Sequence, residues 1–140
     1  MRFQCVECQG IVDVDDARMG KKVQCGHCEA EVKVPETRLS PGAIIADFII
    51  VREIGRGGMG VVYETHQISL DRPAALKVLE AEYTEDAEFV STFIREARSA
   101  AKLNHPHIVQ AYAVGEDSGI FYFAMEFIDG LTMKDIVKRD

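Results

Sequence analysis

No cysteine occurs after residue 28, no basic block occurs anywhere, and no apolar run reaches the length of a membrane span. The longest greasy stretch, AIIADFIIV, is short and broken by Asp47, well under the ~20 residues that a spanning helix needs. The N-terminus MRFQCVECQG has no apolar leader region, so neither export nor a bilayer span is expected of this stretch. Sixteen Lys and Arg against 23 Asp and Glu leave a net charge of −7. Without a basic patch, an electrostatic grip on nucleic acid or on an anionic membrane is not expected. Low-complexity tracts and internal repeats are not evident either.

What is present falls into three stretches. Residues 1–34 carry all four cysteines and few aromatic side chains. Residues 35–46 form a connector, because PETRLSPGA holds two prolines, a serine and a glycine, which disfavour both helix and strand. Residues 47–140 carry most of the β-branched and aromatic residues. There FIIVREI, VVYETHQI and RPAALKVLE read as strands. From Thr84 to Leu103 the period is helical, with Phe89, Phe93, Ala97 and Ala100 as one stripe and Glu85, Asp86 and Glu88 at the N-terminal end. Two strands around GEDSG follow, then the start of a helix in LTMKDIVKRD.

Cys5 and Cys8, then Cys25 and Cys28, make two Cys-x-x-Cys pairs separated by 16 residues, a spacing suited to four-cysteine zinc. Each such knuckle turns two sulfurs to one side, and two knuckles complete a tetrahedron around Zn²⁺. A thioredoxin-like redox pair wants a single motif beside a βαβ unit, and disulfides suit a secreted chain better. His27, inside the second knuckle, is a possible substitute ligand, although an exposed knuckle residue is the plainer reading. The segment resembles zinc ribbons, except that the glycine often found directly after a knuckle is displaced to Gly10 in the first and absent in the second. With five Lys and Arg against six Asp and Glu, it is expected to fold by binding metal and to dock a protein partner, not nucleic acid.

Four glycines fall between Gly55 and Gly60 in REIGRGGMGVVYE. A Rossmann turn would run from these glycines into a helix, whereas Val61, Val62 and Tyr63 favour a strand. The loop therefore joins a hairpin, and by itself it fits a phosphate cradle or an ordinary turn equally well. Lys77, in an otherwise apolar strand, must snorkel out or meet an anion. Glu96, three residues beyond Phe93, falls on the apolar stripe of the helix and needs a cation. A helix packed across the sheet would let Lys77 and Glu96 satisfy one another.

Four motifs in order, GRGGMGVV, AALK, FIREARSAAKLNHPHIV and MEFIDGLTMKDIV, make residues 47–140 resemble the N-terminal lobe of a protein kinase, most of all the eukaryotic-like serine/threonine kinases of bacteria. The resemblance implies an α+β fold: a five-stranded antiparallel sheet with one long helix, preceded by the small ribbon. It implies that Gly55, Gly57, Gly58 and Gly60 admit ATP phosphates to backbone N–H groups and that Lys77, bonded to Glu96, pairs with the α- and β-phosphates. Ile54, Val62 and Ala75 would line the adenine slot, Met125 would be the gatekeeper, and Glu126 and Ile128 would be hinge residues. His105 and Pro106 would be structural.

The stretches that supply the family's catalytic base and its Mg²⁺ ligands are not in this sequence. By the resemblance, the expectation is a fragment of a serine/threonine kinase that binds ATP weakly and transfers no phosphate alone, its protein substrate and Mg²⁺ being handled downstream. A non-catalytic nucleotide-binding or docking module with a ribbon head is the alternative. The expected location is cytoplasmic, with a downstream membrane anchor common in the resembled family.

Overall fold

The computed structural model describes residues 1–57, 60–79, 86–102 and 111–127. Chain packing divides it into two units, one of Met1–Arg52 with His66–Arg72, the other of Glu53–Thr65 and the chain from Pro73 onward. No helix among the described residues is long and apolar enough to cross a membrane.

In the first unit, β1 (Arg2–Gln4) pairs antiparallel with β2 (Ile11–Asp13), and β3 (Lys22–Gln24) with β4 (Glu31–Lys33). These two hairpins are copies of one another. Residues 3–14 and 23–34 share Gln4/Gln24, Cys5/Cys25, Cys8/Cys28, Val12/Val32 and Val14/Val34 at an offset of 20. Their backbone bonds repeat as well: Gln9 N–H to Cys5 O and Cys5 N–H to Gly10 O are matched by Glu29 to Cys25 and Cys25 to Ala30, all 2.9 Å. The expectation of no internal repeat is therefore corrected. The signal was present as Q-C-x-x-C followed by alternating valines, diluted by the different residues between them. Phe3, Val12, Val32 and Val34 form the small core beneath the hairpins, closed by Cys5 and Cys25.

Strand β5 (Ala43–Ile45) comes next, followed by β6 (Phe48–Gly57), β7 (Gly60–Gln67) and β8 (Arg72–Leu79). Then come α1 (Ala87–Lys102), β9 (Ala111–Asp117) and β10 (Ile120–Glu126). The hydrogen-bonded order is β2-β1-β5-β6-β7-β8-β10-β9. Among the described residues this sheet has eight strands, the expected five and three more. The added ones are β1, β2 and β5: Ala43, Ile44 and Ile45 are all buried, and they pair with β1 on one side and with β6 on the other.

The β9–β10 hairpin turns at Ser118 and Gly119, both at positive φ (52° and 84°), the geometry of the tight turn that suits strand twist. Asp86 starts α1 by accepting the Glu88 N–H at 2.9 Å, which satisfies one of the helix's open donors. The buried side of α1 is Phe93 flanked by Val90 and Ile94, whereas Phe89 is 38% exposed. Of the expected stripe, Phe93 is buried and Phe89 is corrected to the exposed side, while the burial of Ala97 and Ala100 lies outside what is described; 90, 93 and 94 recur at the i, i+3, i+4 spacing. The helix expected from Leu131 lies outside the described residues, as do His105 and Pro106.

Candidate functional site: a glycine strand over a buried lysine, and a four-sulfur cluster

Side chains two apart in a strand share a face. On β8 this groups Ala75 and Leu79 with Lys77, and on β7 it groups Gly60 with Val62. Across the β8–β10 pair, Met125 lies opposite Ala75 and Phe123 opposite Lys77. Ile54, Val62, Ala75, Leu79, Phe123 and Met125 form one buried apolar cluster, into which α1 sets Phe93. The sequence-predicted adenine-slot residues Ile54, Val62 and Ala75 and the gatekeeper Met125 are thus brought together.

Lys77 is only 7% exposed on that apolar face. Gly60 lies directly against it: a Cβ at Gly60 would meet Lys77 Cε at 3.0 Å and the Val78 carbonyl oxygen at 2.9 Å. Only a residue without a side chain fits there, and its bareness leaves the lysine stem room to lie flat. Gly55 is half-buried near the end of β6, and Gly57 closes that strand. Between them Arg56 forks onto Glu53, Nη2 to Oε1 at 3.0 Å and Nε to Oε2 at 3.2 Å. Glu126 is half-buried at the end of β10. Gly58 and Ile128 lie outside the described residues.

Glu96 is exposed on α1.

In the first unit, the Sγ atoms of Cys5, Cys8, Cys25 and Cys28 all lie within 4.8 Å of one another. Cys5 to Cys28 is 3.8 Å and Cys8 to Cys25 is 3.7 Å, against about 3.8 Å between sulfurs of a tetrahedron with ~2.3 Å zinc–sulfur bonds. Gly10 N–H points at Cys8 Sγ and His27 N–H at Cys25 Sγ, each at 3.4 Å, the outer-shell support a thiolate ligand wants. Gln9 and Glu29 take up the left-handed conformation, φ 60° and 64°, directly after each knuckle. They stand where a ribbon more often has glycine.

His27 lies outside this four-sulfur cluster. Its Nε2 meets the Ile11 carbonyl oxygen at 2.9 Å, and its ring lies on Gly10, whose absent Cβ would come within 2.8 Å of Cδ2. The displaced glycine thereby has a use: it seats the histidine of the other knuckle.

The thiols of the cluster titrate unequally. Backbone N–H groups of Cys28 and then His27 draw the Cys25 thiol down to about 6. For Cys28 the Ala30 N–H pulls downward, but burial and the neighbouring sulfurs outweigh it and push the thiol up to about 12. Cys25 thus ionises ahead of Cys8 and Cys28, whose thiols are shifted upward.

Comparison with known proteins agrees with this geometry. Residues 48–140 match the family model described as protein kinase domain. The chain is 47% identical over 88 residues to the serine/threonine-protein kinase PrkC of Bacillus subtilis, covering 63% of this chain and 14% of that protein. It is 43% identical over 100 residues to PknJ of Mycobacterium tuberculosis, also a serine/threonine-protein kinase, covering 71% of this chain and 17% of the relative. The crystal structure of the Mycobacterium tuberculosis PknI kinase domain aligns with a TM-score of 0.57 at 38% identity, over 66% of this chain and 38% of that one. The chain therefore spans less than a fifth of the length of these curated relatives. On the matched motifs and on the sheet that carries them, this chain belongs to the protein kinase family.

Proposed function

We propose that this chain supplies the ATP-binding lobe of a serine/threonine protein kinase, which moves the γ-phosphate of ATP to protein Ser or Thr hydroxyls. The observation that carries the reading is the fit of bare Gly60 against buried Lys77. A lysine stem pinned beneath a glycine strand has little rotamer freedom left, and its ammonium, on an apolar face, favours an anionic partner. Gly55, Gly57, Gly58 and Gly60 would present backbone N–H groups to the phosphates while Lys77 meets the α- and β-phosphate oxygens. Ile54, Val62, Ala75 and Met125 would enclose the adenine ring, and backbone groups of Glu126 and Ile128 would bond its edge. Glu96 of α1 would pair with Lys77 and hold its ammonium at the phosphates. Mg²⁺ and the protein substrate belong to the remainder of the family's domain.

For the first unit the proposal is a structural Zn²⁺ held by Cys5, Cys8, Cys25 and Cys28. The ion would supply the cohesion that so small a core cannot. Zinc-bound or reduced thiols suit the cytoplasm, and a ribbon so held would be a docking module for a protein. Photolabelling with an azido-ATP analogue tests the nucleotide reading. Label is expected on peptides from β6, β7, β8 and β10, competed by ATP. Label confined to α1 or to the ribbon would overturn it.

A further inference from the structure

Strand β1 has a partner on each side. Toward β2 it pairs Arg2, Phe3 and Gln4 with Asp13, Val12 and Ile11, and toward β5 it pairs Arg2 with Ile44 and Phe3 with Ala43. The strand runs without a break into Cys5, the first sulfur of the cluster, and its Phe3 sits in the same buried core as Cys5 and Cys25. Whatever orders the sulfurs therefore orders β1. That order passes on through specific bonds. Gln4 N–H donates to Gly42 O at 2.9 Å, and Gly42 N–H donates to Ile50 O of β6 at 2.8 Å. Arg2 Nη2 donates to Ala46 O at 2.7 Å, in the tight β5–β6 turn where Ala46 is held at φ 50°. Strand β6 then continues as a single element through Ile54 and Gly55 to Gly57.

Without β1, β5 would be a three-residue edge strand with its donors unpaired, and the Ala46 carbonyl would lose its guanidinium. Short edge strands of this kind fray. The strand that carries the glycines would then lose its outer support at Phe48 and Ile49, where β5 pairs with it. We infer that zinc on Cys5, Cys8, Cys25 and Cys28 sets the order of β5 and β6, and through β6 the nucleotide affinity of the glycine strand. This rests on the zinc reading and the nucleotide reading proposed above. Coupling of this sort is reciprocal: nucleotide would tighten zinc by the same factor by which zinc tightens nucleotide.

The test uses the 140-residue chain with zinc, after chelation, and as Arg2→Ala, which leaves all four sulfurs in place. Zinc content, amide hydrogen exchange and affinity for a non-hydrolysable ATP analogue are measured on each. With zinc removed, exchange at residues 43–50 should rise while β10 stays protected, and the analogue should bind roughly fivefold or more weakly. Arg2→Ala should keep its zinc and show part of both changes. Zinc that binds and leaves with exchange and affinity unchanged would overturn the coupling alone. A chain that takes up no zinc would overturn the metal reading beneath it, and a zinc-loaded chain that binds no analogue would overturn the nucleotide reading. Protection lost throughout, β10 included, would also overturn the inference, because zinc would then hold the whole chain and not these two strands.

Discussion

Gly60 and Lys77 touch across neighbouring strands so closely that a methyl group on the glycine would stand 3.0 Å from the lysine Cε. The other obstacle, the Val78 carbonyl oxygen at 2.9 Å, is backbone and cannot swing aside. Gly60→Ala should therefore separate β7 from β8 locally and cost about 1–3 kcal/mol, the usual range for overpacking. Thermal denaturation checks the cost. A melting temperature equal to that of the parent would show that the two strands have slack at this point.

The ligand set divides the two candidates in the second knuckle. Cys28→Ser should abolish stoichiometric zinc, whereas His27→Ala should retain one zinc per chain and lose only the packing on Gly10 and the bond to Ile11. Metal content by mass spectrometry under native conditions reads this directly. Loss of zinc from the histidine variant would place His27 among the ligands.

Asp16 makes the first unit sensitive to acid. The N-terminal ammonium of Met1 bonds its carboxylate at 3.1 Å and Arg38 pairs with it too. The ammonium first and Arg38 after it hold its pKa below the ordinary 3.8, against the opposing effect of burial. A carboxylate depressed on folding contributes stability above its unfolded pKa and loses it as pH falls through the folded one. The parent should therefore lose stability relative to Asp16→Asn as pH drops below about 4, and the two should run parallel above pH 5. Paired melts across that range test the sign; curves parallel down to pH 2 would remove Asp16 from the account.

On α1 Phe93 is buried, whereas Phe89 is 38% exposed. Phe93→Ala should destabilise the chain by about 3–5 kcal/mol, as truncations of buried phenylalanine do. Phe89→Ala should cost less than half as much. Urea denaturation of the two variants compares them, and equal losses would restore the stripe drawn through Phe89.

These outcomes follow how far the residues can be read without coordinates. The glycine hairpin, the lysine strand and the β9–β10 turn were legible because each rests on local chemistry, such as bare residues, β-branched runs and Ser118-Gly119. The four sulfurs were legible from spacing. The β1–β5 pairing was not, since it joins residues about forty apart in sequence through strands of three residues each, too short to show a period. On the helix, Phe93 was legible but Phe89 was misplaced, since its period alone puts it on the same stripe. Val90 and Ile94, though smaller, lie on both sides of Phe93. Left-handed Gln9 and Glu29 carry no composition signal at all, because the hydrogen bonds of the knuckle hold them there.

The most direct measurement is calorimetric titration of the parent chain and of Lys77→Met with ATP and, in parallel, with adenosine. Methionine keeps the length of the buried stem and removes the ammonium, so the fold should be retained. The account predicts ATP binding roughly tenfold or more weaker in the variant, as loss of a charge-assisted bond implies, with adenosine affinity unchanged. ATP bound equally well by both proteins would contradict a phosphate site at Lys77.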